Sequence, residues 1–148
     1  MGSEIIRIEN VGKNYGARQV VRDFTVSITK GEFVTIIGCS GCGKTTLLKM
    51  INGLVTPDTG NIFVAGKNIR HENRIQLRRN IGYAIQGSGL FPHMTVRDNI
   101  AYVPNLLNGR NKEQTSNAVK KWVAILRLEM DLLDRYPETL SGGQQQRV

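Results

Sequence analysis

The sequence predicts an α/β fold, and three features carry that expectation. Apolar and β-branched runs of strand length, Glu4–Glu9, Arg18–Ile28, Phe33–Ile37, Asn61–Ala65 and Ile81–Gln86, are separated by turns rich in Gly, Pro, Asn and Asp. In the second half the period changes, with Ala118, Val119, Trp122, Val123 and Leu126 falling on one helical stripe. Between the two patterns, Phe33-Val34-Thr35-Ile36-Ile37 runs into Gly38-Cys39-Ser40-Gly41-Cys42-Gly43-Lys44-Thr45-Thr46 and then Leu47–Asn52, which is the order strand, glycine-rich turn, helix.

That junction is the most specific stretch of the chain. Gly38, Gly41 and Gly43 permit backbone angles and close approaches that side chains forbid, so successive N–H groups can curl around a polyphosphate. Ser40 and Cys42 contribute their amides to the same curl. Lys44 adds a full positive charge toward the outer phosphates, the helix start adds its partial positive charge, and the Thr45 hydroxyl is placed to hold Mg²⁺. Thr46 can donate to a nearer phosphate. The expected ligands are therefore ATP and Mg²⁺, and Lys44 is the first candidate for a catalytic charge.

With 148 residues the chain can bury a core without disulfides or metal. Its longest apolar runs reach about five or six residues, against the roughly twenty that a membrane-crossing helix needs. A net charge of +8 and a pI near 9.9 suit an anionic partner. The two cysteines, Cys39 and Cys42, have Cys-x-x-Cys spacing, but His71 and His93 lie far away in sequence and no further cysteine completes a metal site. The expectation is instead a pair of thiols open to alkylating agents and protected by bound nucleotide.

Taken in order, the first two strands flank Asn14–Arg18, a turn in which Tyr15 is either a half-buried sheet residue or a flat surface for a base. Gly53 is placed to end the helix that starts at Lys44, and Thr56–Gly60 is turn chemistry. The basic segment Arg70–Asn80 has no interleaved aromatics to stack on bases, so it reads as a solvated face and no nucleic-acid partner is expected. Ile81–Gln86 reads as a buried strand ending in an amide. Thr95 caps a helix that Pro104 and then Asn108-Gly109-Arg110 interrupt, and the stripe through Trp122 reads as core. At the end of the chain, Ser141 and Gln144 have capping-box spacing, and Gly142-Gly143 leaves the helix start bare enough to hold an anion.

Together these residues resemble the ATP-binding cassette (ABC) family of transporter ATPases, whose signature is matched by Leu140-Ser141-Gly142-Gly143-Gln144. The 97 positions from Lys44 to Ser141 match a compact transporter cassette, whereas chromosome and DNA-repair relatives insert long coiled coils there. The resemblance implies a P-loop NTPase core of ABC type with an N-terminal antiparallel β subdomain and a helical subdomain. It divides the chain into 1–94, the β subdomain with the phosphate-loop core, 95–141, the helical subdomain, and 142–148, the start of the signature helix. It also implies that Tyr15 stacks on adenine with Val20 beside it, and that Gln86 contacts Mg²⁺ and the attacking water. Ser141, Gly142, Gly143 and Gln144 would meet the nucleotide of a second cassette, head to tail. A membrane permease subunit would dock near Phe91-Pro92-His93, with a substrate-binding protein acting indirectly, at the cytoplasmic face of the membrane. The run from Ile85 to Val96, followed by Asn99-Ile100-Ala101 and Val103–Leu107, resembles the importers of quaternary amines such as glycine betaine, choline and carnitine.

An intact cassette of this kind continues to an apolar strand ending in Asp, a catalytic Glu and a switch His. The resemblance therefore implies a chain lacking the C-terminal half of the parallel sheet, which binds nucleotide with little or no hydrolysis. It further implies that Phe33–Ile37 has no parallel neighbours to pair with. The alternatives are a non-catalytic nucleotide-binding or regulatory fragment, and a soluble cassette acting on nucleic acid, which would bind it in a salt-sensitive way.

Overall fold

The computed structural model describes residues 3–85, 87 and 89–148. The chain divides into two compact units, Met1–Tyr83 and Ala84–Val148.

In the first unit, β1 (Glu4–Tyr15) and β2 (Arg18–Thr29) form a long antiparallel hairpin across Gly16-Ala17. Gly16 takes φ 58°, the positive angle that the first residue of such a tight turn needs. β3 (Thr59–Val64) pairs with the other edge of β1, and β4 (Lys67–Asn68) pairs with β3, giving the order β2-β1-β3-β4 with every pair antiparallel. A strict two-residue period starting from buried Ile8 would turn Val11 outward, yet both are fully buried. The reason is a bulge. Asn10 sits at φ 48°, the pairing register slips between Ile8 and Val11, and the Thr25 hydroxyl accepts the Asn10 N–H at 2.9 Å.

Helix α1 (Lys44–Ile51) has eight residues, too few to stand alone. It is held by Leu47, Met50 and Ile51, which share one core with Ile8, Val11, Val21, Ile62, Ile69 and Leu77. Each fully buried aliphatic side chain contributes about 1.5–3 kcal/mol. As the sequence predicts, Gly53 ends this helix, at φ 68° with its N–H on the Met50 carbonyl at 3.0 Å. The short helix α2 (Arg74–Arg79) starts at an Asn73 cap. Arg78 donates to the Asn52 and Gly53 carbonyls at 3.3 and 2.9 Å, and Arg70 donates to the Pro57 carbonyl at 3.0 Å. Two of the arginines assigned to a solvated face thus satisfy carbonyls at the end of α1 and in the turn beyond it.

Two expected strands are not formed. Phe33–Ile37 has no ladder partners, as the resemblance implies for it, and Phe33 and Ile37 are 92% and 89% exposed. Ile81–Ile85 is likewise irregular, with Tyr83 and Ile85 exposed rather than buried. Both segments have strand propensity, but among the described residues no strand lies alongside either one to take its backbone hydrogen bonds.

The second unit is helical. α3 (Val96–Leu107) begins at Thr95, whose hydroxyl accepts the Asp98 N–H at 3.2 Å, and α4 (Lys112–Leu126) begins at an Asn111 cap. After 3₁₀ turns at Met130–Leu132 and Pro137–Thr139, α5 (Gly142–Arg147) closes the chain. Val96, Ile100, Ala101, Val119, Val123, Leu128, Leu132, Leu133 and Leu140 form its core. Two expectations are corrected here. Pro104 lies inside α3 rather than interrupting it, one turn from the helix end, where the Asn108 N–H still reaches the Pro104 carbonyl at 3.0 Å. Trp122 is exposed at the margin of the α4 stripe with the Lys121 ammonium 5.8 Å from its ring, so Val119 and Val123 carry the packing.

Candidate functional site

The loop from Gly38 to Thr46 owes its shape to glycine. Gly41 and Gly43 take φ 78° and 98°. A Cβ on Gly43 would meet the Val20 carbonyl oxygen at 2.6 Å and the Val20 Cγ1 at 3.2 Å, so only glycine lets the loop sit this closely on β2. The tip is closed by the Cys42 N–H on the Cys39 carbonyl at 3.4 Å.

No side chain caps α1 at Gly43. Leu47 is the first residue of the helix whose N–H is satisfied, on the Gly43 carbonyl at 2.9 Å. Among the described residues, the amides of Gly41, Gly43, Lys44, Thr45 and Thr46 have no acceptor. The Lys44 ammonium curls back into the same loop, donating to the Gly38 and Cys39 carbonyls at 2.8 and 2.7 Å and to Cys42 Sγ at 3.6 Å. A full charge, a helix start and a row of free donors therefore converge within one turn of chain, an arrangement that fits a polyphosphate. Thr45 is exposed beside them, so its hydroxyl is open to a cation carried with the phosphates.

Val20 flanks this loop from the hairpin, and Tyr15 lies at the hairpin's turn. Tyr15 is about half exposed and pairs across the strands with Arg18, whose guanidinium donates to the Gly41 carbonyl at 3.4 Å. Arg18 was not identifiable from sequence as a loop neighbour, because its contact spans 23 positions. Lys13 lies 5.6 Å from the Tyr15 ring and bonds Asp58 at 2.7 Å. That ammonium, together with the Asn14 N–H, holds the Asp58 carboxyl below the usual aspartate range.

A cavity of about 280 Å³ lies beneath the loop, lined by Val20, Val21, Phe24, Ile36, Cys42 and Leu47 among others. A larger one, about 630 Å³, lies in the helical unit between α3 and α4; Arg97, Lys112, Lys120 and Arg127 stand in its wall, but both helix starts beside it are capped by side chains, Thr95 and Asn111, and leave no row of free amides. Chemistry, not volume, identifies the phosphate loop as the candidate site.

In the helical unit, Ser141 forms the predicted capping box. Its hydroxyl accepts the Gln144 N–H at 3.3 Å, and the Gln144 side chain accepts the Ser141 N–H at 2.8 Å. Ser141, Gly142 and Gly143 are exposed, and a Cβ on either glycine would meet nothing within 4 Å. Gln86 lies outside the described residues.

The family profile described as "ABC transporter" matches residues 21–148. The chain is 50% identical over 145 residues to the carnitine transport ATP-binding protein OpuCA of Listeria monocytogenes, covering 97% of this chain and 36% of that protein. It is 46% identical to the choline transport ATP-binding protein OpuBA of Bacillus subtilis, covering 97% of this chain and 38% of the other. Against the glycine betaine uptake system ATP-binding protein YehX of Escherichia coli the identity is also 46%, covering 97% and 46%. The chain thus spans less than half the length of each of these relatives. Among solved structures, it is similar to the dimeric ATP-binding cassette MJ0796 bound to ADP and Pi, with TM-score 0.80 and 29% identity, covering 97% of this chain and 66% of that one. The geometry of the loop and these matches agree, and the chain belongs to the ABC transporter family.

Proposed function

We propose that this chain is the nucleotide-binding part of an ATPase subunit that powers an importer, with quaternary amines such as glycine betaine, choline or carnitine as the cargo class. The observation that carries the reading is the row of free amides at Gly41 and from Gly43 to Thr46, closed over by Lys44. The cargo class is supported by the 46–50% identity to the ATP-binding proteins named above.

On this reading Gly38, Ser40, Gly41 and Gly43 supply backbone donors to the phosphates, Cys42 joins them only by releasing its N–H from the Cys39 carbonyl, and Lys44 neutralises charge that grows on the outer phosphates during hydrolysis. Thr46 donates to a nearer phosphate. Thr45 and Gln86 would hold Mg²⁺, which would offset the negative charge of the phosphates. Tyr15 offers its exposed ring to the adenine, with Val20 alongside. Ser141, Gly142, Gly143 and Gln144 form the second contact, to nucleotide held by another cassette arranged head to tail. The segment Phe91–His93 faces a permease subunit, which sets the complex at the inner face of the membrane.

Lys44→Ala tests the reading directly. Loss of one charge-assisted contact is worth about 1.5–3 kcal/mol, so nucleotide affinity should fall roughly ten- to hundred-and-fifty-fold in a fluorescence titration. Unchanged affinity would remove the loop from the binding site.

A further inference from the structure

We propose that Cys39 and Cys42 are a reversible dithiol–disulfide pair that shuts the phosphate loop to nucleotide when a hydroperoxide oxidises it. This inference rests on the nucleotide reading above.

Both thiols are free and exposed. They occupy the two ends of the turn closed by the Cys42 N–H on the Cys39 carbonyl at 3.4 Å. A turn of that kind keeps its end Cα atoms within about 7 Å, and a disulfide asks for about 4.4–6.8 Å, so the backbone is already close to bridging distance. Gly41, inside the turn at φ 78°, gives the ring the flexibility to close.

The thiol of Cys42 is also entangled with the site. Its Sγ lies so near Gly38 that a Cβ there would come to 2.6 Å, and it accepts from the Lys44 ammonium at 3.6 Å. Bonding to Cys39 turns this sulfur into part of a disulfide, which changes the group that the Lys44 ammonium meets. The covalent ring would then fix the peptide units of Ser40 and Gly41, whose amides belong to the phosphate curl, and would move the Cys39 carbonyl that Lys44 holds at 2.7 Å. Closing the bond and wrapping a polyphosphate therefore compete for the same backbone.

The chemistry balances with the hydroperoxide as oxidant. One thiolate attacks the peroxide, the O–O bond breaks, and a sulfenic acid forms as water leaves from hydrogen peroxide, or the alcohol from an organic hydroperoxide. The second thiolate attacks that sulfur, the S–O bond breaks, and water leaves. The two cysteines together lose two electrons and two protons. An external dithiol reverses the step by thiol–disulfide exchange and is itself oxidised to a disulfide.

The test treats the reduced chain with hydrogen peroxide and follows intact mass, alkylation by N-ethylmaleimide, and titration with a fluorescent ATP analogue. The expected result is a mass lower by two hydrogen atoms, loss of both alkylatable thiols, and nucleotide binding weakened roughly tenfold or more, all restored by dithiothreitol. Cys39→Ser should form no intramolecular bond and should hold its own affinity through the same cycle. A disulfide that leaves nucleotide affinity unchanged overturns the switch. Oxidation that only adds oxygen, or an equal loss of binding in Cys39→Ser, overturns the pair. A reduced chain that binds no nucleotide before any oxidant is added overturns the nucleotide reading and the switch with it, while the mass change still reports whether the two sulfurs join.

Discussion

At Gly43 the nearest obstacle to a side chain is backbone, the Val20 carbonyl at 2.6 Å, and φ is 98°. Gly143's neighbour Gly142 has open space and an ordinary angle. Gly43→Ala should therefore cost about 1–3 kcal/mol and weaken nucleotide binding. Gly142→Ala should stay within about 0.5 kcal/mol, and urea unfolding of the two variants checks the contrast. At Asp58, bonds from the Lys13 ammonium and the Asn14 N–H depress the carboxyl in the folded chain. A depressed folded value stabilises above the unfolded value of about 3.9 and is lost as pH falls through the lower folded value. The stability difference between the wild type and Asp58→Asn should thus be constant above roughly pH 5 and shrink below about pH 4. A difference independent of pH would show that these contacts do not act through the charge.

Among the elements, the extended segment before the phosphate loop carries the clearest consequence. Phe33 and Ile37 are 92% and 89% exposed on a stretch with free backbone groups, which is a template for association between chains. Replacing both with Ser should raise the concentration at which light scattering appears, with a change in stability of no more than about 0.5 kcal/mol. Unaltered scattering would place the association elsewhere. The phosphate loop's conformation was legible in the sequence because Gly41 and Gly43 set it within one turn, and the Ser141–Gln144 capping box was legible for the same reason. The want of parallel neighbours at Phe33–Ile37 followed from the resemblance, but the unpaired state of Ile81–Ile85 did not, because propensity cannot supply a pairing partner. Arg78 on the α1 carbonyls and Arg18 on Gly41 were equally hidden, since their contacts join residues more than twenty positions apart. The bulge at Asn10, which keeps Val11 inward, is set by Thr25 on the facing strand.

Across the whole molecule, two units with separate cores each present a helix start bearing glycine and free donors: α1 after Gly43, and α5 after Ser141. A net charge of +8 favours anionic ligands at either one. On the proposed reading, the first of these grips a polyphosphate through its backbone. That grip is tested most directly by recording the amide resonances of an isotope-labelled chain during titration with Mg²⁺-ATP. Saturable shifts concentrated at Gly41 and from Gly43 to Thr46, much weakened in Lys44→Ala, are expected; saturation with those amides unmoved would show that the phosphates bind elsewhere.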